Sequence, residues 1–184
     1  MSSNHLPSDH DIREGCLLGN PAMQKMLYDR HAPKMYGICL RYAANSEDAR
    51  DILQDGFIKV FSNLGKFMGT GSFEGWMRRI FVNTAIEHYR KKNNLFAISE
   101  HQEENIADKE VSALDELEAG DIIKLISELP NGYRTVFNLF AVEGYTHKEI
   151  AEMMNISEGT SKSQYARAKA WLQEKIGKRN LDKN

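Results

Sequence analysis

The stretch Tyr145–Leu172, YTHKEIAEMMNISEGTSKSQYARAKAWL, reads as a short helix, a tight corner and a second helix studded with Lys, Arg, Ser and Thr. Thr146 and Glu149 have the spacing of a capping box, in which the Thr hydroxyl accepts from the Glu149 amide and the carboxylate reaches back to the Thr146 amide. Ile150 and Met153 then face inward, and Ala151 is small enough for another helix to cross closely. Asn155 breaks the helix, Ile156 plugs the corner and Ser157 caps the second helix. In that second helix Ser161, Tyr165, Ala168, Leu172 and Ile176 recur at spacings of 4, 3, 4 and 4, which makes one inward stripe. Glu158, Lys162, Ser163, Arg167 and Lys169 are left for the outer side. A major groove admits one such helix, and donors of this kind suit phosphates and base edges. The pattern points to a helix-turn-helix rather than to a plain helical hairpin with a solvated face.

Helical periodicity continues outward from this module, and no alternating strand of useful length occurs. Residues 9–18, 21–43, 46–64 and 73–92 read as four helices, with a Gly-rich loop over 65–72. Ser46 stands where the third helix would be capped. The segment KKNNLFAISEHQEENIADKEVS then loses the period and turns polar and acidic, as a linker does. Residues 113–128, 132–143, 146–154 and 157–176 supply four more helices. The fold class is therefore all-α: two helical domains, 1–93 and 113–184, joined by a flexible acidic linker, 94–112.

Charge is segregated along the chain. The net value of −2 over 184 residues hides nine acidic residues against one lysine from Glu100 to Asp121, and six basic against two acidic both from Lys66 to Lys92 and from Ser157 to Arg179. Two basic patches flanking an acidic hinge suit a nucleic-acid binder. No apolar run is long enough for a membrane helix and the N-terminus has no apolar h-region, so a cytoplasmic location is expected. The two cysteines, Cys16 and Cys39, sit in helical apolar patterns and read as reduced core residues. The six histidines are scattered without metal-ligand spacing, so neither a metal nor a cofactor is expected.

In the third helix Ala49, Ile52, Leu53, Gly56, Val60 and Leu64 form an inward side, while Asp48, Asp51 and Asp55, flanked by Gln54, form an acidic stripe. Such a stripe is either a solvated face or a dock for a basic helical partner. The stretch FMGTGSFEGWMRRIFVNTAIEHYRKK, Phe67–Lys92, is more unusual. A loop holding Gly69 and Gly71 leads into a helix on which Trp76, Arg79, Asn83 and Arg90 share one face and Phe73, Met77, Ile80 and Thr84 another. Aromatic, cationic and amide groups beside a loop are what binding of an unpaired DNA strand requires: planar surfaces for bases, charge for phosphates and room for an extruded base. Trp76 can equally be a core residue, and its neighbours Arg78, Arg79 and Asn83 are what bring a contact role level with that.

The motifs DARDILQDGFIKVFSNL, FEGWMRRIFVNTAIEHYRK, LPNGYRTVFNLFAVEGYTHKEIAEMMNIS and GTSKSQYARAKAWL, in this order, resemble the extracytoplasmic-function (ECF) sigma factors of bacterial RNA polymerase over about Leu17–Ile176. The resemblance implies no enzyme but a promoter-specificity subunit whose first domain melts and captures the minus-ten element and whose second binds the minus-thirty-five element as duplex. It assigns Asp48, Asp51, Gln54, Asp55 and Phe57 to core polymerase. Phe67, Gly69, Ser72, Phe73, Trp76, Arg78, Arg79, Asn83, Thr84 and Arg90 go to the minus-ten strand, and Glu158, Thr160, Lys162, Ser163, Arg167 and Lys169 to the minus-thirty-five duplex. The implied partners are core RNA polymerase, promoter DNA and an anti-sigma factor, with the acidic linker running near the polymerase active centre. Ser161 departs from the family, which usually has an apolar residue there, so weaker local packing is expected.

Two other classes fit the sequence less well. A helix-turn-helix regulator of the response-regulator type needs an alternating strand–helix receiver that the first half does not offer. A Cys-His hydrolase needs an activated thiol, and neither Cys16 nor Cys39 has a helix start or Gly-flanked elbow beside it.

Overall fold

The structure, a computed structural model, describes residues 6–98 and 124–181. The N-terminal half begins with α1 (Asp9–Leu17), capped by a Ser8–Asp11 box, and α2 (Pro21–Tyr42), whose first amides are taken by the Asn20 side chain. α3 (Ser46–Asn63) runs through a 3-10 turn (Leu64–Lys66) into the loop before α4 (Phe73–Ile98). The C-terminal half contains a helical stretch over 124–127, α5 (Asn131–Phe137) with a π-turn (Asn138–Val142), α6 (His147–Met154) and α7 (Glu158–Leu181). No strand occurs among the described residues, so the receiver that a response regulator needs is missing from the first half. No helix among them is long and apolar enough to cross a membrane.

α3 and α4 pack antiparallel, and side-chain pairing reports their register: Asp48 meets Lys92 at 2.8 Å, Asp55 meets His88 at 2.8 Å and Lys59 meets Glu87 at 2.6 Å. Gly56 is what allows the helices to approach, since a Cβ there would lie 2.2 Å from the buried Phe81 ring. Around that crossing Leu27, Met35, Cys39, Ile52, Val60, Met77 and Val82 are closed off from solvent. The core does not end with the N-terminal half. Val136, Leu139, Ile150 and Met154 belong to the same apolar cluster, while Leu125, Ile126, Leu129, Ala168 and Leu172 make a smaller one between 124–129 and α7.

Several local expectations are corrected. Asn45, not Ser46, caps α3, because its side chain accepts from the Asp48 amide and Ser46 is already helical. Met153 packs inward as expected but only partly buried, with Met154 closed off from solvent beside it, and Ile176 of the expected inward stripe is 44% exposed. The helix expected over 132–143 gives way to a π-turn after Phe137. α4 continues to Ile98, into the stretch expected to be linker; the rest of that linker, its acidic run up to Asp121, and residues 113–123 of the next expected helix lie outside the described residues.

The corner between α6 and α7 matches the sequence closely. The Thr146 hydroxyl accepts from the Glu149 amide at 3.3 Å and Glu149 Oε2 accepts from the Thr146 amide at 2.8 Å. Asn155 takes the left-handed conformation, φ 56°, Ile156 donates back to the Ala151 carbonyl, and Ser157 Oγ accepts from the Thr160 amide at 2.9 Å.

This packing makes two outcomes measurable. Gly56→Ala overpacks the α3–α4 crossing and should lower stability by about 1–3 kcal/mol in urea unfolding, whereas an unchanged midpoint would mean that the Phe81 ring moves freely aside. The Thr146 amide, and then its hydroxyl, hold the Glu149 carboxyl below the usual carboxylate range. Its contribution is therefore fully present above that range and lost as pH falls through the lowered folded value. The melting-temperature gap between the natural chain and Glu149→Gln should be constant near neutrality and shrink below roughly pH 4; a gap indifferent to pH contradicts the carboxylate's role.

Candidate nucleic-acid interface

In the N-terminal half, three aromatic rings gather where the loop meets α4. Phe73 and Trp76 stack at 5.6 Å between centroids, and Phe67 lies 5.2 Å from Phe73 and 5.6 Å from Trp76. Phe73 is the buried floor of this group, whereas Phe67 and Trp76 are half-buried and keep an open side. The loop between them needs φ values of +75° at Gly69 and +82° at Gly71, which only glycine takes without strain. Ser72 is occupied as a cap, its hydroxyl accepting from the Gly75 amide at 2.8 Å. Arg79, Asn83 and Arg90, at spacings of four and seven, stand exposed along α4 on the Trp76 side.

Three residues expected at DNA or polymerase contacts are placed elsewhere. Thr84 has no exposed surface and its hydroxyl donates to the Ile80 carbonyl at 2.8 Å, so it packs α4 instead of meeting a strand. Phe73 at 8% exposure and Phe57 at 4% are core, the latter edge-on to Phe81 and against Tyr28, because their helix positions face the α2–α3–α4 interior. They support surfaces formed by others. Arg78 is half-buried and engaged: its guanidinium donates twice to Glu143 of the C-terminal half.

The acidic stripe of α3 divides. Asp48 and Asp55 pair with Lys92 and His88 of α4, while Asp51 and Gln54 are exposed. An incoming basic helix would find Asp51 first, with Asp48 and Asp55, already engaged by α4, beside it.

On α7 the outer face is as the spacing predicts. Glu158, Lys162, Ser163, Arg167 and Lys169 are exposed, and Thr160 is half-buried in the Ser157 cap. Lys162 pairs with Glu158 at 2.7 Å, which holds the Glu158 carboxyl below its usual range, and Arg167 reaches the Tyr133 hydroxyl at 3.1 Å. Inward, Ser161 has no exposed surface, and its hydroxyl hydrogen-bonds His147 Nδ1 at 2.9 Å. His147 in turn stacks on Phe140 at 4.3 Å and Tyr165 lies 4.6 Å from Phe140. The polar residue on the buried stripe thus has a dedicated partner on α6, and the expected loosening is met by a hydrogen bond.

Sequence reasoning missed four positioning residues. Arg13 of α1 donates to the carbonyls of Leu64 and Phe67 and lies 5.7 Å from the Phe67 ring centre, so it ties down the start of the loop. Arg41, Glu143 and His147 were missed for the same reason: each acts on a residue far off in the chain or, for His147, across the corner, and spacing carries no signal of that. Cys16 and Cys39 are free and buried; burial pushes both thiols up, Cys39 to about 12, so neither supplies a thiolate at neutral pH. Among the described residues no group of His, Cys, Asp and Glu is arranged to hold a metal ion.

Residues 27–94 match the family model of sigma-70 region 2 and residues 119–172 that of sigma-70, region 4, together about two thirds of the chain. The chain is 29% identical over 174 residues to the RNA polymerase sigma-H factor of Pseudomonas aeruginosa, covering 88% of this chain and 90% of that one. It is 29% identical over 162 residues to the ECF RNA polymerase sigma factor SigW of Bacillus subtilis, with 82% and 87% covered. In fold it is similar to the sigma factor RpoE of Bartonella quintana, solved in complex with the anti-sigma factor NepR, at a TM-score of 0.51 and 21% identity over 83% of this chain and 96% of that one. With two sigma regions in family order, a helical region 2 carrying the aromatic loop and a helix-turn-helix in region 4, the chain belongs to the ECF group of RNA polymerase sigma factors.

Proposed function

We propose that the two halves divide promoter recognition between an unpaired strand and a duplex. In this reading residues 1–93 form the domain that binds core polymerase and the minus-ten element, and residues 113–184 the domain that binds the minus-thirty-five element. The observation that carries it is the pair of separate exposed cationic faces on one chain: Arg79, Asn83 and Arg90 beside the Phe67–Trp76 platform, and Lys162, Arg167 and Lys169 on α7. The platform offers open ring surface on which a base can stack while the row along α4 tracks the backbone. α7 presents its cations to one side only, as a helix in a major groove must.

Asp51 and Gln54, backed by Asp48 and Asp55, are the polymerase-facing residues of α3, and Phe57 holds that helix in place from beneath. Neither module needs high affinity by itself, because both are delivered on polymerase and each raises the effective concentration of the other. The chain has no chemistry of its own in this role, works in the bacterial cytoplasm where polymerase acts, and is held inactive by an anti-sigma factor, the kind of partner found on the Bartonella relative.

The Trp76 platform is tested by transcription. The natural chain should direct run-off transcription only together with core polymerase, and Trp76→Ala should reduce open-complex formation, read by permanganate footprinting, more than closed-complex binding. Equal losses in both, or a collapsed melting temperature, would place Trp76 in the core alone. Lys162→Ala and Arg167→Ala should each weaken promoter duplex binding by roughly 1–3 kcal/mol if the side chain reads a base. A variant that weakens all duplexes alike contacts phosphate instead.

A further inference from the structure

The seam between the halves contains a site in which only Arg78 has been given a role above. Glu143 comes directly after the π-turn and inserts its carboxylate into the N-terminal half, where Oε2 accepts from Arg78 Nε at 2.7 Å and Oε1 from Arg78 Nη2 at 2.9 Å and from Arg41 Nη2 at 3.4 Å. Its side chain keeps only 7% of its exposure. Asn138 fastens the same corner by donating to the Arg41 carbonyl at 2.7 Å. The Tyr42 hydroxyl and Arg41 Nε, both buried, have no hydrogen-bond partner among the described residues. Burial first and the Glu143 charge second push the Tyr42 phenol well above its usual range, so it remains a donor.

All the donors come from α2 and α4, and the acceptor alone comes from the other half. A planar guanidinium presenting two parallel N–H bonds suits a carboxylate and a phosphate equally. A phosphate has more acceptor positions than the carboxylate now present, and the unpaired Tyr42 hydroxyl and Arg41 Nε are donors left over at this place. The host survives if the halves separate; only the guest leaves.

We propose that Arg41, Arg78 and the Tyr42 hydroxyl form a backbone-phosphate site for the promoter single strand, and that Glu143 fills it as an internal mimic, holding the chain closed until the strand displaces it. The proposal rests on the reading of the N-terminal half as the strand-binding domain. Closure and strand binding then compete for one site, so each weakens the other by the same factor. Arg41 becomes a strand-contacting residue, and Glu143 sets how readily the free chain binds DNA before polymerase engages it.

The test uses the full chain carrying a fluorophore pair at Lys25→Cys and Glu152→Cys, both exposed and outside the DNA-facing residues, with energy transfer reporting the distance between halves. An oligothymidylate of about a dozen residues should shift the natural chain to longer distance, and the same oligomer with an uncharged methylphosphonate backbone should not. Glu143→Gln should be open without DNA and bind the oligomer at least about fivefold more tightly. Arg41→Ala should also open but bind less tightly. Glu143→Asp, which keeps the charge on a shorter stem, should lie between, and it carries the test if Glu143→Gln misfolds. Unchanged distance and affinity in the Glu143 variants overturn the proposal, as does equal opening by the methylphosphonate oligomer or opening by core polymerase alone with DNA inert. Run-off transcription by the natural chain separates the two levels: activity with core polymerase leaves the strand-binding role standing when the Glu143 variants behave normally, and no activity removes that role whatever the variants do.

Discussion

The Glu143 carboxylate, taken almost wholly out of water between Arg78 and Arg41, is the constraint on which the arrangement of the two halves depends. Moving a carboxylate from water into a protein interior costs several kcal/mol, and only cations held in good geometry offset it. The attraction between the halves therefore comes mainly from apolar surface, with Val136, Leu139, Ile150 and Met154 joining the N-terminal core. What the ion pair contributes is selection. A docking that buried Glu143 away from Arg78 and Arg41 would leave its charge without a partner.

The same logic of paired charge shapes both exposed faces. On α4 of region 2, Lys92 and His88 are bound to the α3 carboxylates and Arg78 to Glu143, while Arg79, Asn83 and Arg90 beside the aromatic platform, with Lys91 next to them, are presented to solvent. On α7, Lys162 is steadied by Glu158 one turn away and Arg167 by Tyr133. Exposed pairs of this kind are weak and exchange readily for a phosphate. The buried pair at Glu143 is of a different order, since breaking it exposes two guanidiniums at once.

Much of the site is legible in the one-dimensional pattern because its parts are local. The Thr146–Glu149 box, the Asn155 corner, the Ser157 cap and the outer face of α7 all lie within one or two helical turns, where spacing alone determines who faces whom. Region 2 is legible in its helices and its Gly-rich loop for the same reason. Thr84, Phe73 and Phe57 are misplaced onto surfaces because a resemblance names positions, not exposures; whether a position two-thirds of the way round a helix is covered depends on the helix that crosses it. Ser161 shows the converse. Its polarity on a buried stripe looks like a defect in the sequence, yet His147 on the preceding helix completes it.

The sequence by itself determined an all-α chain, its helix starts to within one residue where these are described, the helix-turn-helix, and the segregation of basic faces, because hydrophobic period, capping and charge are properties of neighbours along the chain. The tertiary structure alone decided which cations are free and which are held, that Arg13 ties the aromatic loop to α1, and that Glu143 reaches Arg41 and Arg78 across separations of 102 and 65 residues. Such partners are brought together only when apolar faces from distant segments close on one another, and no local spacing encodes which faces those are.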